Sequence, residues 1–399
     1  MDNSKKDTGA AAGPLAGVRV VDLTAMVMGP YCTQIMADLG ADVIKVEPPG
    51  GDNTRFISVG PVSGMSGVFV NINRGKRSIV LDLRTDEGRN TLRRLIERAD
   101  VFIHSMRSKA IAGLGFSYAE VAAINPSIVY TNCYGYSRRG PDKDLAAYDD
   151  TIQAACGFPA VQRMLTGEAN FVGTIVADKV TGLTALYATM MALFHRERTG
   201  EGQEVEVGMF ETMASFMLVE HANGAMFNPP LGEAFYPRAV SRNRRPYKTR
   251  DGYVAALIYN DKQWRTFVEA VKPPWASEPQ YATLEQRAKR IDEVYALLGE
   301  TFEARTTQEW LDLFHSLGIP AAPLRTPADL MRNEHLEAVG FYETVDSPHG
   351  PVRFPGIPTW FSETPAHIAA AAPELGAHTK EILEELERPA VDRRPARQA

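Results

Sequence analysis

Two observations predict an α/β fold with a doubly wound, mostly parallel sheet. First, GVRVVDL (17–23) reads as a buried strand, YCTQIMADLG as a helix closed by Gly40, and ADVIKVE (41–47) as a second strand. This is a βαβ unit, whose parallel strands require a right-handed crossover. Second, the same alternation continues through the first 140 residues. The composition, 44% hydrophobic and 23% charged, is that of an ordinary soluble protein.

The elements follow in order. RSIVLDL (77–83) is the third strand, and TDEGRNTLRRLIERAD a helix with acids in its first turn and arginines later, as the helix dipole prefers. ADVFIHS (99–105) is the fourth strand. YAEVAAINP is a short helix stopped before Pro126, and SIVYTNCYGY a further strand. From Asp178 to His195, apolar residues recur at Val180, Leu183, Tyr187, Met190, Met191 and Phe194, a helical spacing that TGEGQ brings to a stop. QEVEVGMFETMASFMLVEH gives a strand and a helix. Residues 225–250, rich in Pro, Gly and Arg, read as a linker or loop. DGYVAALIY (251–259) is then a strand, NDKQWRTFVEAV a helix, and residues 290–318 two more helices. Residues 341–361 read as strands with turns, and KEILEELER as the last helix.

At 399 residues the chain can form two domains, each with its own core. A formal charge of −6 gives no reason to expect nucleic acid as a partner. Cys32, Cys133 and Cys156 lack metal or disulfide spacing, which suits a reducing cytoplasm. The amino terminus has no signal-like apolar stretch, and Leu183–Phe194 is too short to span a membrane. A soluble, cytoplasmic protein without a metal site is therefore expected.

Several chemistries find no support. The first strand ends in DLTAMVMGP where a dinucleotide-binding fold would carry G-x-G-x-x-G, although Glu47 stands where a ribose-binding acid would. There is no Walker loop, no G-x-S-x-G elbow and no HExxH, and the eight histidines are dispersed. One acid draws the eye. Asp178, in TIVADKVTG, stands where an apolar run gives way to the long helical pattern. By itself it reads as an N-cap. A helix amino terminus also favours an ionised carboxylate, so a chemical role stays open.

The blocks PLAGVRVVDLT, GPYCTQIMADLGADVIKVEPPGGD, NRGKRSIVLDL, AYDDTIQAACG, VADKVTGLTALYATMMALFHRERTGEGQEVEV and DGYVAALIYNDKQW resemble the class III CoA-transferases, the carnitine-dehydratase and bile-acid-inducible family. The resemblance runs from about Pro14 to about Glu387 in family order. It implies a Rossmann-like large domain built from both chain ends, a smaller α+β domain, and an interlocked homodimer. The boundaries expected are 14–225 for the first part of the large domain, 226–330 for the small domain and 331–387 for the return, with disordered tails at 1–13 and 388–399.

The resemblance assigns the catalytic carboxylate to Asp178, which would carry CoA as an aspartyl thioester between an acyl-CoA and a free carboxylic acid. CoA and acyl-CoA are then substrates, and no permanently bound cofactor is implied. CoA phosphates need cations, for which Arg74, Lys76, Arg77, Arg107 and Lys109 are candidates. The loop after the first strand (Ala25, Met26, Val27) and Tyr134 match further CoA contacts of the family. Racemases of this fold carry a His-Asp pair in the block matching AYDDT. Here Tyr148 takes the His position ahead of Asp149, which leaves α-proton exchange without one partner. In place of the glycine-rich loop of the oxalate transferases stands YPRAVSRNRRPYKTR, basic and free of acids. Arg242, Arg244 and Arg245 are its candidates for a second substrate carboxylate, with succinyl-CoA as donor. The alternatives are a racemase-like enzyme and a non-catalytic acyl-CoA-binding protein.

Overall fold

The computed structural model describes residues 13–389. The expected disordered tails lie outside these residues, apart from Gly13, Arg388 and Pro389. The described chain divides into two units. The first runs through Cys156 and takes in Gly173–Ser215 and the stretch from His335 onward. The second comprises Gly157–Val172 and Phe216–Glu334. The small unit thus begins earlier than 226, and it includes the helix Phe158–Thr166, none of whose residues is buried.

The first unit is built on six parallel strands: β1 (Arg19–Leu23), β2 (Asp42–Glu47), β3 (Arg77–Val80), β4 (Val101–His104), β5 (Val129–Tyr134) and β6 (Gln203–Gly208), in spatial order β3-β2-β1-β4-β5-β6. Val21 lies opposite Ile44 on one side and Phe102 on the other. β1, β4 and β5 are buried throughout, as expected of strands covered on both faces. Leu92, Leu95 and Ile96 of the helix Asp86–Ile96 pack with sheet residues and with Ile382 and Leu386 of the last helix, Thr379–Glu387. Ion pairs fasten the same junction. Arg19 binds Asp42 and Glu385, and Arg77 binds Asp42, Glu381 and Glu385.

The second unit has a three-stranded antiparallel sheet of β7 (Tyr247–Lys248), β8 (Tyr253–Ala256) and β9 (Ala321–Pro323). Its core is aromatic: Tyr247 stacks on Phe302, which stacks on Trp310 and Phe314. The remaining strands, β10 (Tyr342–Val345) and β11 (Val352–Pro355), form an antiparallel hairpin in the first unit.

The strand order reverses between β1 and β4, where such sheets hold ligands beyond their carboxyl ends. The two loops at that point touch: the Ala25 N–H donates to Ser105 Oγ at 3.1 Å.

Candidate active site

Asp178 is the third residue of the helix Val176–Thr199. The residue before that helix, Ile175, offers no side-chain cap. Asp149 supplies one from elsewhere: its Oδ1 accepts the Asp178 N–H at 3.0 Å, while its Oδ2 accepts from Gln153 at 2.6 Å. Asp149 is buried as the first residue of its own helix, Asp149–Ala155. Asp178 is therefore not the cap, and its carboxylate is left for something else.

The N–H of Met28, the first residue of the helix Met28–Asp38, lies near enough to that carboxylate to favour its anion. Two helix amino termini thus converge on one acid. Gly182 makes the approach possible: a Cβ there would come within 2.6 Å of the Met28 carbonyl oxygen. A residue one turn beyond Asp178 must have no side chain if the two helices are to meet this closely.

The electrostatics are mixed. Burial pushes the Asp178 carboxyl up, the Asp149 charge pushes it further, and the Met28 N–H pulls it back, leaving it at about 6. Such an acid is mostly ionised at neutral pH, yet more basic than an ordinary aspartate, so it suits attack on a carbonyl. The helix termini that favour its anion are also arranged to stabilise nearby negative charge.

Buried charges fix the loop after β1. Asp22 accepts from the Thr24 N–H at 2.8 Å and from the Thr33 hydroxyl at 2.6 Å, and pairs with Lys76 at 3.1 Å. Lys45 donates to the Thr24 carbonyl and to Asp52, whose carboxylate also accepts the Met26 N–H. Met26 takes a left-handed φ of 65°. Ala25 is exposed and Val27, which precedes the Met28 helix, is buried.

This network corrects several expectations. Lys76 is buried against Asp22, Pro30 and Asn73, and burial lowers its pKa to about 8. Arg74 is buried against Asp38 and donates to the Pro355 carbonyl. Arg77 serves the Asp42, Glu381 and Glu385 carboxylates. Lys76 and Arg74 neutralise buried acids and Arg77 three partly exposed ones, which engages all three cations within the chain. Glu47, in the ribose-acid position, is buried in a pair with Arg55 at 2.7 Å. Tyr134 is buried in β5 and donates to Asn132 Oδ1 at 3.0 Å, so its hydroxyl is already engaged.

The other candidates are open to solvent. Arg107 precedes the short helix after β4, and Lys109 pairs with Asp144 at the surface. Tyr148 is 63% exposed and donates its N–H to Thr151. In the second unit Arg242, Arg244 and Arg245 are exposed, and Arg242 reaches the Met164 carbonyl at 3.3 Å.

Gln153 and Gly182 carry no sequence signal of their place in the site, and Asp149 stands out in the sequence only as the companion of Tyr148. No local pattern links Asp149 to a helix that begins 27 residues later, and a glycine within a helix does not declare what it lets in. Among the described residues no helix is long and apolar enough to cross a membrane, and no cluster of His, Cys, Asp or Glu could hold a metal ion.

Comparison with known proteins extends the picture. Residues 15–379 match the sequence profile of CoA-transferase family III. A succinate–glutarate CoA-transferase of Agrobacterium fabrum is 32% identical, covering 94% of this chain and 96% of that protein. A succinyl-CoA:mesaconate CoA-transferase of Haloarcula marismortui is also 32% identical, over 94% of this chain and 96% of its own. The crystal structure of a CAIB/BAIF family protein from Brucella suis superposes with a TM-score of 0.79 at 32% identity, covering 94% of this chain and all of that one.

Proposed function

Because this chain belongs to CoA-transferase family III, we propose that it moves CoA from a dicarboxylic acyl-CoA, succinyl-CoA foremost, to a second free carboxylic acid through Asp178. The observation that carries this reading is the Asp178 carboxylate itself, at the meeting of two helix amino termini, with Asp149 occupying the capping position in its stead.

The Asp178 carboxylate attacks the thioester carbonyl. The C–S bond breaks, giving a mixed anhydride and CoA thiolate. The thiolate attacks the aspartyl carbonyl and expels the donor acid as its carboxylate, leaving CoA on Asp178 as a thioester. The acceptor carboxylate then attacks that thioester, and the two steps run in reverse. No water is consumed. Each carbonyl addition develops an oxyanion, which main-chain N–H groups at the helix termini stabilise.

The donor class rests on the two relatives named above, which act on succinate, glutarate or mesaconate by their names. Arg242, Arg244 and Arg245 recognise the second carboxylate, since each is exposed and the loop carries no acid. Arg107 and Lys109 meet the CoA phosphates at the switch point, beside Ala25 and Met26. A homodimer covers the helix Val176–Thr199, where Leu183, Tyr187, Met191 and Phe194 form a stripe of which 45–65% is exposed.

Intact-mass measurement after mixing with succinyl-CoA, without acceptor, tests the mechanism. Wild type should gain a CoA adduct, and Asp178→Ala should not. Solvent α-proton exchange with no adduct would indicate a racemase, and neither signal a binding protein. For the arginines, exchange to Ala should raise the dicarboxylate KM. An unchanged KM with weakened CoA binding would assign them to phosphate.

A further inference from the structure

The second unit holds a cavity of about 280 Å³. Its walls are mostly apolar, with Leu257, Ile258, Leu284, Ile291, Val294 and Leu298 among them, and Trp264 contributes an indole. Leu257, Leu284, Tyr236 and Tyr259, which line it, are 37–49% exposed.

Two guanidinium groups reach the cavity, and they differ. Arg287 is buried and neutralised by Asp261 at 2.6 Å. Arg238 has only phenols and a ring for partners: its Nε donates to the Tyr295 hydroxyl at 2.7 Å, and it lies over Tyr259 at 5.1 Å. Among the described residues no carboxylate pairs with it. Arg238 also lines an adjoining open groove of about 510 Å³ with Arg244 and Arg245, and that groove has no acidic wall. A cation without a counter-charge, hydrogen-bonded to Tyr295 beside an apolar hollow, is complementary to a molecule with one anionic end and an apolar body.

We propose that the smaller unit binds a medium-chain or aryl carboxylate, its carboxylate on Arg238 and its apolar part in the cavity beside Trp264. No residue of the Asp178 centre lines this cavity, and the inference is tested by binding alone.

The test uses full-length protein carrying Asp178→Ala, with octanoate as the probe and Trp fluorescence and calorimetry as readouts. Octanoate should bind saturably, and octanol and methyl octanoate at least about tenfold more weakly, the worth of one charge-assisted pair. Arg238→Gln should weaken octanoate by a similar factor and leave octanol unchanged, and Arg238→Lys should restore most of the loss. Ala288→Trp, at the exposed mouth, should block all three probes. Absent saturable binding, equal affinity for octanoate and octanol, or full affinity in Arg238→Gln would each overturn the proposal. So would displacement of octanoate by saturating CoA, since the probe would then occupy the transfer centre.

Discussion

The main-chain N–H of Asp178 donates to the carboxylate of Asp149, so one acid caps the helix on which the other is presented. The division of labour has a cost and a use. Asp149 holds the helix start in place, and its charge helps to keep Asp178 more basic than an ordinary aspartate.

Removing the Asp149 charge while keeping an acceptor should separate these roles. In Asp149→Asn the rising limb of the kcat–pH profile, set by Asp178 near 6, should move toward acid. It should stop short of the ordinary aspartate range, because burial is the larger cause of the shift. An unmoved limb would show that Asp149 acts on helix geometry alone.

Asp178→Ala should lower transfer at least about a thousandfold, as loss of a covalent nucleophile does. Asp178→Asn should also change stability. The unfolded chain ionises this acid at 3.8 and the folded chain at about 6, so wild type loses stability as pH rises through that window. Above it the variant should be more stable by about 1–2 kcal/mol, a figure reduced for the partial exposure of the site. Near pH 3.5 the gap should close. Urea unfolding at both pH values checks this, and a wild type that is the more stable at neutral pH would contradict it.

Gly182→Val should force the two helices apart at Met28, with kcat falling by about tenfold or more. The Met28 N–H lowers the Asp178 pKa, so losing it should move the rising limb toward alkali, opposite to the effect of Asp149→Asn. A shift in the same direction for both variants would refute the packing argument.

Arg74→Met and Lys76→Met should each cost about 3–5 kcal/mol of stability, because each leaves a buried carboxylate without its cation. At temperatures where Arg74→Met remains folded, its KM for the CoA donor should stay near that of wild type. A raised KM with intact stability would return Arg74 to the phosphate site.

Much of the fold was legible because buried parallel strands are rich in β-branched and aromatic residues, and β1, β2, β4 and β5 each carry such a run, from Val20–Val21 and Val43–Ile44 to Val101–Ile103 and Val129–Tyr130. The helix at Asp178 was equally plain from its spacing. What stayed hidden depends on distance in sequence. Lys76 reads as a free cation until Asp22, 54 residues earlier, comes to lie beneath it. Arg74 hides Asp38 in the same way. The helix cap was sought beside the helix and arrives from 29 residues upstream.

The ties of Arg19 and Arg77 to Glu385 have a consequence for the order of events in synthesis. The strands that bear these arginines leave the ribosome early, while Glu381 and Glu385 are made near the very end. The small unit lies between them, so it is complete and free to fold while the large one still waits for its last helix. Until then the newborn sheet keeps Arg19 and Arg77 short of a counter-charge and the pocket for Ile382 and Leu386 vacant. A chain stopped before residue 379 would carry both defects permanently, with every residue of the Asp178 centre already made.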